Sequence, residues 1–172
     1  MRILAAILAG AAALAVATGC GTAPPAEPTT TDLTATDLAF LDLVIPQNES
    51  ALAAIALAAG KPGSTLRQVE AGYREELVQA EELLAKAGRQ ESDQHDGHDM
   101  PGMITAAELK AIEDAQGTDF DRQLKALLRT QFEEARTVAR AELSSGTSKP
   151  VLELASRIDR TRAEFSALLD AS

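Results

Sequence analysis

The chain is predicted to be all-α, an antiparallel four-helix bundle made of two repeated helical hairpins joined by a short crossover helix. Three observations predict this. Aromatic residues are few, with four Phe, one Tyr and no Trp, and the Ala, Leu and Glu richness favours helix over sheet. Apolar residues recur every three or four positions along four long stretches. The chain also repeats itself. At an offset of 84, Asp37 falls on Asp121, Leu43 on Leu127, Gln47 on Gln131, Glu49 on Glu133 and Ala51 on Ala135. At an offset of 85, Leu66 falls on Val151, Val69 on Leu154, Tyr73 on Ile158 and Leu83 on Leu168. One hairpin cannot bury its apolar face alone, whereas two stacked hairpins can.

The first residues read as an export signal. Arg2 is a short basic start, Ile3 to Ala17 is almost wholly Ala, Leu, Ile and Val, and small residues follow, which is the secretory pattern. Residues 1–19 are therefore set aside as a lipoprotein signal peptide. Cys20 is the one cysteine, so no intramolecular disulfide forms. Ala17-Thr18-Gly19-Cys20 resembles the lipobox of bacterial lipoproteins, with Ala17 where that pattern prefers Leu. The resemblance makes Cys20 the lipidation site and puts the protein on the outer face of the cell membrane. Each buried methylene of an acyl chain contributes about 0.8 kcal/mol to such anchoring. The alternative is an ordinary cleaved signal, or an uncleaved anchor, with a chance cysteine. No second stretch reads as long and apolar enough to span a bilayer. Residues 20–35, Pro/Thr-rich and without periodicity, form the tether, and residues 36–172 form the bundle domain.

The net charge of −10 argues against nucleic acid as a partner, because phosphates need a basic face. It argues equally against docking on anionic head groups.

The first helix runs from Asp37 to about Ala59, with Phe40, Val44, Ala51, Ile55 and Ala58 on one stripe. Pro46 lies inside it and should kink the helix or begin it anew. Gly60-Lys61-Pro62-Gly63 is a stop. Thr65 and Gln68 have the capping-box form and open the second helix, whose stripe is Leu66, Val69, Tyr73, Leu77, Ala80 and Leu84 and whose end is near Gly88. Arg89 to Gly102 is a polar loop. Thr105 and Glu108 form another capping box and open a short helix to about Ala115, closed by Gly117. Asp119 to Leu143 is the third long helix, with Phe120, Leu124, Leu127, Ala135 and Val138 as its stripe and Leu128 and Phe132 beside it. Pro150 sits in the first turn of the last helix, where proline is tolerated, and that helix buries Val151, Leu154, Ile158, Phe165 and Leu168.

Gln47 and Gln131 fall on buried stripes. A buried amide without a partner loses about 1–3 kcal/mol, so each must bond to the other or to a facing side chain, or else mark the floor of an old ligand site. Glu49, Glu133 and Glu134 read as a solvated face.

The segment His95-Asp-Gly-His98-Asp-Met100-Pro-Gly-Met103 holds both histidines and two of the three methionines. Two imidazoles and two thioethers within nine residues suit copper, above all Cu(I), better than calcium or magnesium. The expectation is weak binding of copper or another late transition metal by His95, His98, Met100 and Met103. The competing reading is a crossover loop whose methionines pack on the bundle end while its histidines are solvated.

Asp37 to Ala56, Gly97 to Asp114 and Gly117 to Ala139, with the closing helix, resemble the domain-of-unknown-function 305 family. Its most specific part is the Gly97-His-Asp-Met-Pro-Gly-Met103 segment followed by a Thr-capped helix. The resemblance implies a small exported, often lipid-anchored protein with a ferritin-like bundle, and some members are linked to copper binding and copper tolerance. The family pattern has a methionine followed three and four residues later by a His-His pair, once per half. Here those positions hold Val44 with Gln47-Asn48, and Leu128 with Gln131-Phe132. Val and Leu offer no donor, and amides are poor ligands for soft metals, so the family's interior ligands do not carry over.

No constellation for catalysis is present: no Glu-x-x-His pair on a helix, no phosphate-cradling glycine loop, no serine in a nucleophile motif. The functional expectation is a non-enzymatic, lipid-anchored envelope protein, with copper as its one candidate cofactor. The competing class is an interaction protein whose bundle docks on an envelope partner, an intact relative or a second copy of itself.

Overall fold

The computed structural model describes residues 33–58, 63–90 and 100–171. The signal peptide, Cys20, most of the tether, His95 and His98 lie outside them. Five helices follow in order: α1 (Ala35–Ala56), α2 (Ser64–Lys86), α3 (Ala106–Asp114), α4 (Thr118–Ser145) and α5 (Lys149–Asp170). The described residues are all-α. The four long helices form a bundle in which α1 packs on α2 and α4, and α5 packs on α4 and α2, with short α3 against α4 and α1. The ion pairs Arg129–Asp170 at one end and Arg136–Asp159 further along make α4 and α5 antiparallel.

The helix boundaries follow from local chemistry. Thr34 caps α1 by accepting from the Asp37 amide while the Asp37 side chain accepts from Thr34. That reciprocal box satisfies two amides that the first turn leaves free. Thr105 and Glu108 cap α3 in the same way. At the end of α2 the amides of Gly88 and Arg89 return to the carbonyls of Ala85 and Leu84. This is a Schellman closure, and it needs the left-handed φ of +68° that Gly88 supplies.

Five expectations are corrected or narrowed. Of the two outcomes open to Pro46, beginning the helix anew is excluded: α1 is one element through it, with buried Ile45 and Gln47 on either side. Thr65 does not cap α2; the cap position is Gly63, without a side-chain hydrogen bond, and Thr65 lies within the first turn. The buried face of α4 is rotated toward Leu124, Leu128, Phe132, Ala135 and Ala139, leaving Phe120, Leu127 and Val138 half-buried at its margin. On α5, Leu169 rather than Leu168 is the buried residue. Nor are the signal residues the sole stretch long and apolar enough to span a bilayer, since α1 also is by length and composition. Ten of its residues are nevertheless buried within the bundle.

Two apolar layers make the core. One joins Phe40, Leu41 and Val44 to Leu84, Val151, Leu154 and Ile158. The other joins Ile55 and Val69 to Leu124, Leu128 and the rings of Tyr73, Phe132 and Phe165, whose centroids lie 6.0–6.3 Å apart. Burying each large side chain contributes about 1.5–3 kcal/mol. Between the layers each long helix contributes buried polar residues: Gln47 and Asn48 from α1, Glu76 from α2, Gln131 from α4 and Arg162 from α5.

Candidate functional site

The buried polar centre is built around Arg162. Its guanidinium pairs with Glu76 at 2.7 Å and donates to Asn48 Oδ1 at 2.9 Å. It also lies 3.6 Å above the Tyr73 ring centroid, a desolvated cation–π contact. Asn48 in turn donates to the Tyr73 carbonyl, and Thr161 donates to the other Glu76 oxygen. The Tyr73 hydroxyl donates to Gln131 Oε1. Burial pushes this hydroxyl well above its ordinary pKa, against the opposing pull of Arg162, so it stays a donor. Of these residues only Gln131 was read from the sequence as a buried polar group. Glu76 and Arg162 had a signal of the same kind: Glu76 is three after Tyr73 and four before Ala80, and Arg162 is four after Ile158 and three before Phe165.

This centre does not fit an interior metal ion. Val44 and Leu128 bring only methyl groups into the core, Phe132 brings a ring, and the Asn48 amide is committed to Arg162 and Tyr73. A guanidinium already supplies the positive charge there. Among the described residues no group of three or more His, Cys, Asp or Glu converges as a metal site would.

The second feature is the crossover turn. The Met103 amide donates to the Met100 carbonyl at 3.0 Å, with Pro101 and a Gly102 of φ +78° between them. This is a type II β-turn, which takes proline first and a left-handed glycine second. Three hydrogen bonds fasten it to the bundle. Gln47 Nε2 donates to the Pro101 carbonyl at 2.5 Å, the Gly102 amide donates to Glu134 at 2.6 Å, and the Ile104 amide donates to Ser50 at 3.1 Å. A Cβ on Gly102 would fall 2.6 Å from Gln47 Nε2, so glycine is required by space as well as by φ.

Gln47 and Gln131 are thus both buried, as their spacing predicted, and neither bonds to the other. Gln47 holds the crossover and Gln131 holds Tyr73. Glu133 and Glu134 are exposed as expected, yet Glu134 also serves the turn. Met100 and Met103 stand at the two ends of one turn, both half-buried. Their expected partners His95 and His98 lie outside the described residues. Beside the turn, Met103 with Glu108, Leu127, Thr130, Gln131 and Glu134 lines a cleft of about 420 Å³.

A third cluster ties the far end. Asp37 accepts from the amides of Thr147 and Ser148 at 3.1 and 3.0 Å, besides its bonds to Thr34. Burial would raise its pKa, but these hydrogen bonds outweigh it and hold the carboxyl well below the usual range. Glu142 is buried and neither of its carboxyl oxygens has a hydrogen-bond partner; burial first, and then the nearby Asp37 carboxylate, push it up to about 7.

No curated protein matches the chain. In structure it is similar to a crystal structure of a fragment from Deinococcus radiodurans. The TM-score is 0.70 at 18% identity, over 81% of this chain and 95% of that one. That fragment is described as DUF305, and at this identity the likeness speaks for the fold. The family model described as "Domain of unknown function (DUF305)" matches residues 37–171, from the capping aspartate of α1 to the end of α5, and the chain belongs to that family.

Proposed function

We propose that this protein is a lipid-anchored, non-enzymatic binding or accessory protein on the outer face of the cell membrane, and that its crossover turn binds copper weakly. On this reading its two hairpins are duplicated halves of a ferritin-like bundle. Cys20 carries the acyl anchor, residues 20–35 span the head groups, and His95, His98, Met100 and Met103 supply imidazole and thioether donors. The observation that supports the metal reading is the Met100–Met103 β-turn, whose docked backbone holds the two methionines at its two ends, 3.0 Å apart at the amide and carbonyl that close it. Soft donors of this kind suit Cu(I).

Isothermal titration of the full-length protein in detergent with Cu(I) under reducing conditions tests it. Saturable binding that weakens in both the His95→Ala/His98→Ala and the Met100→Leu/Met103→Leu variants supports the reading. Absence of binding, or binding that none of these changes alters, overturns it. The anchor is tested separately: Cys20→Ala should move the protein from the membrane to the soluble fraction.

A second reading, docking on an envelope partner or self-association, draws on Val78 and Leu143, which are 53% and 41% exposed. Single exposed apolar residues are common on monomers, so the metal reading stands first.

A further inference from the structure

The cleft beside the crossover turn has a chemistry of its own. Its volume of about 420 Å³ falls in the range of small-molecule sites, about 300–1,000 Å³. Among the described residues no basic side chain lines it, while Glu108 and Glu134 do. Each carboxylate has one oxygen already committed. Glu134 Oε2 accepts from the Gly102 amide, and Glu108 Oε2 accepts from the Thr105 amide and hydroxyl. The other oxygen of each is left to take a donor.

The independent observation is Gln131, which lines the same cleft and is 2% exposed. Its Oε1 is taken from the core side by the Tyr73 hydroxyl, and its Nε2 has no partner. A buried N–H donor without an acceptor is costly, and Gln131 is one of the residues that form the cleft wall. Met103 and Leu127 add apolar wall between the carboxylates and the amide.

We propose that this cleft binds a small organic ammonium compound that also carries a carboxylate or carbonyl group. The ammonium sits between Glu108 and Glu134, the acceptor takes the Gln131 Nε2 proton, and the intervening carbon chain lies on Met103 and Leu127. This site needs no metal, and it shares Met103 with the proposed copper-binding turn.

The test uses the full-length protein in detergent with EDTA present, followed by NMR of the Gln131 side-chain amide and the Met103 methyl. Three probes are compared: 6-aminohexanoate, hexylamine and hexanoate. The expected result is saturable shifts of both signals with 6-aminohexanoate at millimolar concentration, weaker binding of hexylamine and none of hexanoate. Glu108→Gln/Glu134→Gln should weaken 6-aminohexanoate about tenfold or more, the loss of charge-assisted bonds. Gln keeps the acceptors that Gly102 and Thr105 need, so this variant folds. Gln131→Met should bring 6-aminohexanoate down to the level of hexylamine. The proposal is overturned if 6-aminohexanoate shifts neither signal, if hexanoate binds equally, if the double variant binds unchanged, or if only added Cu(I) shifts the Met103 methyl.

Discussion

The guanidinium of Arg162 lies 3.6 Å above the centroid of the Tyr73 ring, in the middle of the bundle and out of reach of water. The same group pairs with Glu76. Desolvating two charges is costly, and their attraction offsets that cost only when the geometry is good and the remaining polar atoms are bonded. Asn48 bonds the guanidinium and Thr161 bonds the second Glu76 oxygen, while Arg162 Nε is left without a partner. Arg162→Met should therefore leave Glu76 buried without its partner and cost about 3–5 kcal/mol. Glu76→Leu/Arg162→Met together should cost much less than the sum of the single changes. Urea unfolding of the four proteins as a double-mutant cycle checks this, and additivity would show that the pair is not coupled.

The helices were legible in the sequence because their signals are local. Thr105 with Glu108, Gly88 and Pro150 each act within a turn of their own position, and the structure uses them as expected; Gly117, expected to close α3, instead stands at the N-cap of α4, while Ala115 caps α3. Thr65 misled because a Thr-x-x-Gln pattern does not say which residue leaves the helical conformation first, and Gly63 does so here. The interior polar centre was half legible. Gln47 and Gln131 stand out as amides on apolar stripes, whereas Glu76 and Arg162 do not, because charges usually mark a solvated face. The docked turn was not legible. Its anchors Gln47 and Pro101 are 54 residues apart, and nothing local joins them.

Tyr73 and Gln131 form a second coupled pair. Tyr73→Phe removes the donor to Gln131 Oε1 and leaves a buried acceptor empty, which should cost about 1–3 kcal/mol. Replacing both, as Tyr73→Phe/Gln131→Met, removes the unsatisfied group and should recover most of that loss. The readout is the urea midpoint at unchanged m-value. A double variant no more stable than Tyr73→Phe would contradict the assignment.

Gly88 and Gly102 separate two costs that are usually confounded. Both have positive φ, but a Cβ meets nothing within 4 Å at Gly88 and meets Gln47 at 2.6 Å at Gly102. Gly88→Ala should cost about 1–2 kcal/mol for the left-handed backbone alone. Gly102→Ala should cost more and should also speed hydrogen exchange at the Gly102 and Ile104 amides, whose bonds to Glu134 and Ser50 hold the turn. Equal destabilisation by the two substitutions, with exchange unchanged, would mean that the turn is not pressed onto Gln47.

Asp37 and Glu142 set how stability depends on pH, and they act in opposite directions. The folded state raises the Glu142 pKa from an ordinary 4.5 to about 7, so between these values the folded protein binds more protons than the unfolded chain. Stability must then fall as pH rises across that window, because the slope follows protons bound in the unfolded minus the folded state. Asp37 is depressed below its ordinary 3.8, so its contribution is present above that value and is lost as pH falls further. The two together predict maximal stability in mildly acid solution, near pH 4.5, with a decline of about 1–3 kcal/mol toward pH 8. Glu142→Gln keeps the shape and removes the titration. It should flatten the decline between pH 4.5 and 7 and be more stable than the parent at pH 8, while leaving the acid limb due to Asp37 intact. Chemical unfolding across pH 3–8 reads all three features, and a parent protein that gains stability from pH 5 to 8 would refute the raised pKa of the buried Glu142.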